Sequence, residues 1–486
     1  MTAQFDSAQA VAAALGDHPV SHLIDGELSR EGELVDVIDP ATGKPAAQAP
    51  SAGPELLDRA VAAARRAQPA WAALPVEERR RFLLALSAKL REHADELAGI
   101  VTLEQGKPIA ASRFEVERAA SMQEDIVSLD LDDEMLRSSQ GTEVDVRYRP
   151  LGVVGAITPW NMPIGLAIPC FTHALYTGNT LVLKPSPYTP LSVLRIGELV
   201  KDLFPAGVVN VVNGGDAFGR AMTEHPGIDK ISFTGSVPTG QRVMAASAST
   251  LKRVTLELGG NDAAIIMPGS PIEDFAASIF RGAFINTGQV CMSIKRLYVH
   301  ASQHDALVSA LVRLANEAKL GSGFDPATTL GPVQNRAQFD VVRDLIADSR
   351  KHGKIAAGGN VSEEGGYFIE PTILTGIGHG TRLVDEEAFG PILPVMAYDE
   401  VDDAVRLAND SPYGLGGSVW GGDVDEATAV AARLSAGTVW VNHHVGADPL
   451  VPFGGLRSSG IGCQFGVEGL KEYLARSAIV THKVLA

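Results

Sequence analysis

Between Val76 and Gly106, apolar Leu83, Leu86, Leu90, Leu97 and Val101 recur three, four or seven positions apart. Glu77, Arg80, Arg91 and Glu92 fill much of the rest, the pattern of a half-buried helix in a helical region that Pro54 opens. Upstream, Val20–Ala49 reads as short extended pieces broken by Gly26, Gly32 and Gly43. From residue 150 the rhythm shortens. Leu151–Ile157, Thr180–Lys184, Val208–Val212 and Lys230–Phe233 are brief runs rich in Val and Ile, with helical segments between them. The clearest helix is predicted over Thr189–Phe204, with Thr189 as its N-cap and Pro190 in its first position. Strand–helix–strand alternation predicts a mostly parallel sheet covered on both faces. A second series starts near Val254–Met267 and continues to about residue 440, with no fixed-period repeat. Two alternating segments, Glu143–Arg149 and Ser477–Leu485, read as edge strands or as a sheet that joins subunits, because exposed edges tend to be paired.

The 486 residues leave room for about three domains or two larger ones. Charged residues make up 20% and hydrophobic ones 45%, which excludes disorder as the default state. Lys plus Arg number 41 against 58 Asp plus Glu, a formal charge of −17 with no basic stripe. Such a surface repels nucleic acid and acidic lipid. The longest apolar runs fall far short of the ~20 residues that span a bilayer. Asp6, with no basic residue before the alanine-rich stretch, does not read as a secretory signal. Cys170, Cys463 and Cys291 are the three cysteines, too few for a disulfide framework, so a reducing, cytoplasmic setting is expected. Without C-x-x-C or H-E-x-x-H, no metal site is expected.

Five features carry candidate chemistry. Phe233-Thr-Gly-Ser-Val-Pro-Thr-Gly240 follows a predicted strand and opens a predicted helix. Gly235 and Gly240 would let backbone approach a phosphate, and a helix start attracts anions. Taken alone, the motif reads more readily as a glycine turn without a ligand. Lys184 ends another strand, where an open parallel sheet faces its crevice, and could donate to ribose hydroxyls or simply be solvated. Glu257 sits in the apolar run Val254-Thr-Leu-Glu-Leu-Gly-Gly260, where a carboxylate is costly to bury and tends toward a raised pKa suited to a general base. Asn161, between Pro159 and Pro163, is a neutral amide able to stabilise an oxyanion. Cys291 on its own reads as a small buried apolar residue.

Together, in this order, these pieces resemble an aldehyde dehydrogenase. The resemblance runs from Ile24-Asp-Gly26 and Asp39-Pro-Ala-Thr-Gly43 to Pro452-Phe-Gly-Gly455. It rests on Pro159-Trp-Asn161, Phe233-Thr-Gly-Ser236, Leu256-Glu-Leu-Gly-Gly260, Gly288-Gln-Val-Cys291 and Glu386-Glu-Ala-Phe-Gly-Pro391. It implies an α/β fold with a Rossmann-type dinucleotide-binding domain (1–126 and 150–256), an α/β catalytic domain (257–445) and a small oligomerisation sheet (127–149 and 446–486). It implies Cys291 as nucleophile, Asn161 with the Cys291 backbone N–H as alkoxide holder, and Glu257 as activator of the water that hydrolyses a thioester. Thr158, Pro159, Trp160, Lys184, Ser186, Pro187, Gly215, Phe233, Gly235, Ser236, Gly240 and Leu258 would flank the dinucleotide. Glu387 would grip the nicotinamide ribose, with Phe389 beside the ring. Met162, Leu166, Ile285, Val290 and Met292 would line the substrate's path, apolar and without an arginine waiting for a carboxylate. A homodimer or homotetramer is implied.

The sequence departs from that pattern in two places. Relatives commonly carry a glutamate where Pro187 stands, which weakens NAD selectivity without creating a phosphate site. NAD is the expected cofactor, with NADP tolerated. Relatives also carry a lysine at Cys170 and a glutamate at Gln464, regarded there as a route for protons. Losing both charges together is coherent, since one alone would be stranded in the interior. Rival readings are acyl transfer to coenzyme A, which the presence of Glu257 disfavours, a non-catalytic structural protein, and a thiol esterase that uses no cofactor.

Overall fold

The computed structural model describes residues 5–131, 134–137, 142–362 and 365–482. Two large sheets organise it. In the first, Arg253–Glu257, Lys230–Thr234, Val153–Ile157, Thr180–Lys184 and Val209–Val211 lie side by side and parallel. Gly460–Ile461 closes one end antiparallel, and the hairpin of His22–Ile24 and Glu27–Ser29 closes the other. The second holds Thr372–Thr375, Ile392–Tyr398, Ile294–His300, Asp262–Ile266, Gly416–Trp420 and Thr438–Val441 in parallel, with Lys354–Ala357 antiparallel at one edge. Every residue of Thr180–Lys184, Asp262–Ile266 and Gly416–Trp420 is buried. Helices cover both faces of such sheets, so their strands read as continuous apolar runs.

The helical region that begins at Pro54 is three helices: Pro54–Ala72, Val76–Glu92 and Ala94–Gln105. Pro75 and His93 mark the breaks, and Gly106 ends the third in the left-handed conformation (φ +93°). The helix predicted over Thr189–Phe204 is shorter than expected, spanning Leu191–Leu199 with Pro190 as its N-cap. Its start is set by a residue distant in sequence. Buried Glu104 accepts from the N–H groups of Leu191 (2.7 Å) and Ser192 (3.0 Å), capping the helix from outside. After Val200 a turn leads to Pro205, which cannot continue a helix.

Thr142–Pro150 and Leu474–His482 pair antiparallel with each other and, with Glu134–Arg137, form a separate three-stranded sheet. Neither lies at the edge of a large sheet. Ile479 and Val480 on the outer strand are exposed. Of the predicted Ser477–Leu485 strand, residues 483–485 lie outside the described residues.

Candidate active site

The carboxyl ends of the first sheet's parallel strands finish level with one another. Ile157 pairs with Lys184 and Thr234 with Glu257, so the loops that follow them share one rim, where open α/β sheets bind ligands. Beside this rim lies a cleft of about 780 Å³. Its walls include Pro159, Trp160, Asn161, Leu166, Gly235, Ser236, Leu258, Cys291, Glu387 and Phe389. Residues more than 200 positions apart are thereby gathered in one cavity.

The thiol arrives on a contorted loop. Asn286, Thr287 and Gly288 all have positive φ (50°, 57° and 72°). A side chain at Gly288 would lie 2.1 Å from the Gly390 carbonyl oxygen. Hydrogen bonds hold the turn: Thr287 Oγ1 donates to the Gly331 carbonyl (3.0 Å), and Gln289 Oε1 accepts from Gln334 N–H (2.8 Å). The Asn161 segment is stapled to it from both sides. Asn161 Nδ2 donates to the Gln289 carbonyl (2.9 Å), and its own carbonyl accepts from Asn286 Nδ2 (3.0 Å). Backbone strain of this kind persists where surrounding contacts over-determine it.

A buried ion pair supports the amide from below. Lys107 Nζ lies 2.5 Å from Glu115 Oε2 and donates to the Asn161 carbonyl (2.9 Å). Glu115 Oε1 accepts from Ile164 and Gly165 N–H (2.9 Å each), fixing the start of the helix Pro163–Tyr176. Removing one partner strands the other charge in the interior. Lys107→Met is therefore expected to destabilise the protein by about 3 kcal/mol or more. A thermal midpoint equal to the parent's would contradict this.

Burial sets the protonation of the reactive groups. Cys291, half-buried, has its thiol pushed up to about 12 by desolvation, opposed by the Lys295 ammonium. Lys295 Nζ donates to the Val290 (2.8 Å) and Cys291 (2.6 Å) carbonyls and stands 3.5 Å from Glu387 Oε1. Glu257 is 5% exposed, neither of its carboxyl oxygens has a protein hydrogen-bond partner, and desolvation raises its pKa well above the usual carboxylate range. Glu387 is also raised by burial, but Lys295 and the Gly260 N–H (3.1 Å) oppose the shift. Phe389, in the left-handed conformation (φ 47°), packs edge-on against Trp160 at 5.3 Å.

The remaining residues fall around this centre. Thr158 is buried with an unpartnered hydroxyl, and its N–H donates to the Lys184 carbonyl (3.1 Å). Lys184 is buried behind the rim, and Nζ donates to the Pro185 carbonyl (3.0 Å). Burial lowers its pKa to about 8, opposed by Asp216. Ser186 is buried and Pro187 half-buried beside it. Gly215 caps the helix Asp216–Glu224. Ser236 caps the helix Val237–Ser247. Phe233 explains Gly235, since a Cβ there would meet its ring at 2.6 Å. Gly240 lies inside that helix against Leu258 of the cleft wall, whose Cδ2 a Cβ would approach to 2.5 Å.

Of the five residues expected on the substrate's path, Leu166 lines the cleft. Met162 precedes the helix Pro163–Tyr176, Ile285 and Met292 are half-buried, and Val290 is buried. Lys295 and Gln338 escaped the sequence reading. Gln338 lines the cleft and donates to the Ala388 (2.9 Å) and Phe389 (3.3 Å) carbonyls. Lys295 carries the same signal that marked Glu257, a charge inside a buried apolar strand. Nothing local distinguishes Gln338 on its exposed-looking helix Arg336–Ser349. Among the described residues, no group of three or more His, Cys, Asp or Glu is placed to hold a metal, and no helix is long and apolar enough to cross a membrane.

A thiol, an amide and a buried carboxylate thus lie close to one rim of a doubly covered parallel sheet. The aldehyde dehydrogenase family model matches residues 28–479, and the chain belongs to that family. It is 38% identical over 449 residues to an aldehyde dehydrogenase of a Fusarium species, covering 92% of this chain and 95% of that one. It is 36% identical over 445 residues to the geranial dehydrogenase of Castellaniella defragrans, covering 90% and 93%. The betaine aldehyde dehydrogenase of Staphylococcus aureus, solved in complex with NAD+, superposes with a TM-score of 0.94 at 34% identity, covering 98% of this chain and 97% of that one.

Proposed function

We propose that this protein oxidises an aldehyde to its carboxylic acid with NAD, through a thioester on Cys291 that Glu257-activated water hydrolyses. One observation carries the reading: the thiol and the Asn161 amide open into the same cleft as Gly235, Glu387 and Phe389, and unpartnered Glu257, next to Leu258 of its wall, is near enough to act on the thiol electrostatically.

The residues present suit a dinucleotide. The helix start at Ser236 has no side-chain cap bond and leaves N–H groups for a phosphate, Trp160, Leu258 and Phe389 offer apolar surface, and Glu387 keeps a carboxylate oxygen to accept from a ribose hydroxyl. When bound, the nicotinamide supplies the hydride acceptor. The chain's own groups do the rest. Cys291 Sγ releases its proton to water in the open cleft and forms a bond to the aldehyde carbon, while the Cys291 backbone N–H and Asn161 Nδ2 hold the developing alkoxide. Glu257 then removes a proton from water attacking the thioester, and the C–S bond breaks to release the acid. Residues 1–126 and 150–256 are assigned to the dinucleotide, 257–445 to the thiol, and 127–149 with 446–486 to a neighbouring copy of this chain.

NAD is favoured because Asp216 stands near Lys184, a negative charge that repels a ribose 2′-phosphate where Pro187 offers none. The cleft's apolar lining, with no Lys or Arg among its walls, suits an uncharged aliphatic or aromatic aldehyde. Absorbance of reduced nicotinamide across a varied aldehyde set, with both cofactors, tests each point. The expected result is turnover with higher kcat/KM for NAD and for uncharged aldehydes. No cofactor reduction with any aldehyde would overturn the reading, and preference for an acidic semialdehyde would overturn the substrate class.

A further inference from the structure

The two strands at the heart of the first sheet sort their side chains by face. Lys230–Thr234 runs parallel to Arg253–Glu257 with Ser232 beside Thr255 and Thr234 beside Glu257. Ile231, Phe233, Val254 and Leu256 face one apolar cluster. Alternate strand residues share a face, so the opposite side carries Lys230, Ser232 and Thr234 next to Arg253, Thr255 and Glu257. This polar row is interior: Lys230 and Thr255 are 0% exposed and Ser232 1%. A buried sheet face is ordinarily apolar, and each buried polar group costs free energy unless it is hydrogen-bonded.

Two hydrogen bonds satisfy its middle. Lys230 Nζ donates to Thr255 Oγ1 (2.6 Å), and the Tyr473 hydroxyl donates to Ser232 Oγ (3.1 Å). Lys230 Nζ also sits 4.7 Å from the Tyr473 ring centre and 4.0 Å from Glu472 Oε2, whose side chain is 31% exposed to solvent. One end of the row is thus Glu257, buried and without a protein partner, and the other reaches a carboxylate at the surface.

We propose that this row conducts protons between Glu257 and solvent, with Thr255 relaying to Lys230 and Lys230 to Glu472. The proposal rests on Glu257 acting as the general base. Oxidation of one aldehyde with one nicotinamide and one water frees two protons, and a carboxyl closed off from solvent must pass on what it accepts. In each relay step an oxygen or nitrogen lone pair takes one proton and an existing O–H or N–H releases another, so no electrons leave and no co-reactant is needed. Glu257 and Thr255 are two residues apart on one strand and share its polar face, a backbone span of ~6.6 Å over which the proposed transfer needs a single intervening water.

Burial lowers the Lys230 pKa to about 8, a value at which amine and ammonium interconvert readily near neutrality. The charged and titratable groups that face it are Glu472, Arg253, Cys463 and Cys170, with His173 held neutral by burial and Tyr473 closing the ring face. Both thiols are raised by desolvation and stay protonated.

Stopped-flow spectroscopy of the holoenzyme, following reduced nicotinamide and a pH indicator together, tests the proposal on Lys230→Met, Thr255→Val and Glu472→Gln. In the parent, proton release keeps pace with cofactor reduction. In K230M and T255V it lags, and kcat falls by about tenfold, while the reduction burst and both KM values stay within about twofold. E472Q, at the solvated end, shows a smaller lag of the same kind. Prompt proton release in the variants overturns the proposal, as does a uniform loss of burst and turnover without a lag. T255V is close to isosteric and decides the matter if K230M fails to fold. Glu257→Gln separates the two claims. Parent-like turnover in E257Q removes the general base itself, whereas slow E257Q with prompt K230M and T255V removes the conduit alone.

Discussion

Cys291→Ala is expected to abolish aldehyde oxidation, a loss in kcat of ~10⁴-fold or more, with nicotinamide affinity unchanged within about twofold. The sulfur is the one thiol among the described residues of the cleft wall, and a thiol is a far better nucleophile than the Thr234 and Ser236 hydroxyls that also line it. Substitution by alanine removes little volume and leaves the loop's hydrogen bonds intact, because Asn286, Thr287 and Gln289 make them rather than the cysteine side chain. Cofactor binding therefore survives. Steady-state turnover together with fluorescence titration of the cofactor checks both halves, and an alanine variant that still oxidises aldehyde at the parent rate would end the covalent scheme.

Glu257→Gln is expected to keep the first burst of reduced cofactor and slow later turnover by ~10²-fold or more, the usual worth of a positioned general base. The amide has the carboxylate's shape but cannot take a proton from water. The acyl group forms and then waits. Protonation gives the same residue a second signature. Desolvation without a compensating partner raises its pKa well above the usual carboxylate range, and only the deprotonated form is a base. Activity should therefore climb as pH rises through neutrality, instead of levelling near pH ~5 as it would for an ordinary glutamate. A profile flat above that point would show that Glu257 titrates normally or does not act.

Which parts of this were legible in the sequence follows from physics. Thr180–Lys184 announced itself because a strand buried on both faces must be apolar throughout. Glu257 stood out because a carboxylate in such a run is costly, and the same logic would have marked Lys295 had it been applied to Ile294–His300. The start of Leu191–Leu199 was illegible, because its cap is Glu104, 87 positions upstream. The packing of Gly240 against Leu258 was illegible, since the fold brings these two residues together. The Lys107–Glu115 pair beneath Asn161 was invisible for the same reason: its function lies in a contact made only by the folded chain.

The central claim is that one sulfur carries the acyl group between oxidation and hydrolysis. Mass spectrometry of E257Q quenched after one burst with a simple aldehyde and NAD, followed by peptide mapping, tests it most directly. The expected result is one acyl increment on the peptide bearing Cys291, absent without cofactor and absent in C291A. A burst of reduced nicotinamide with no increment, or an increment at Cys170 or Cys463, would contradict the account.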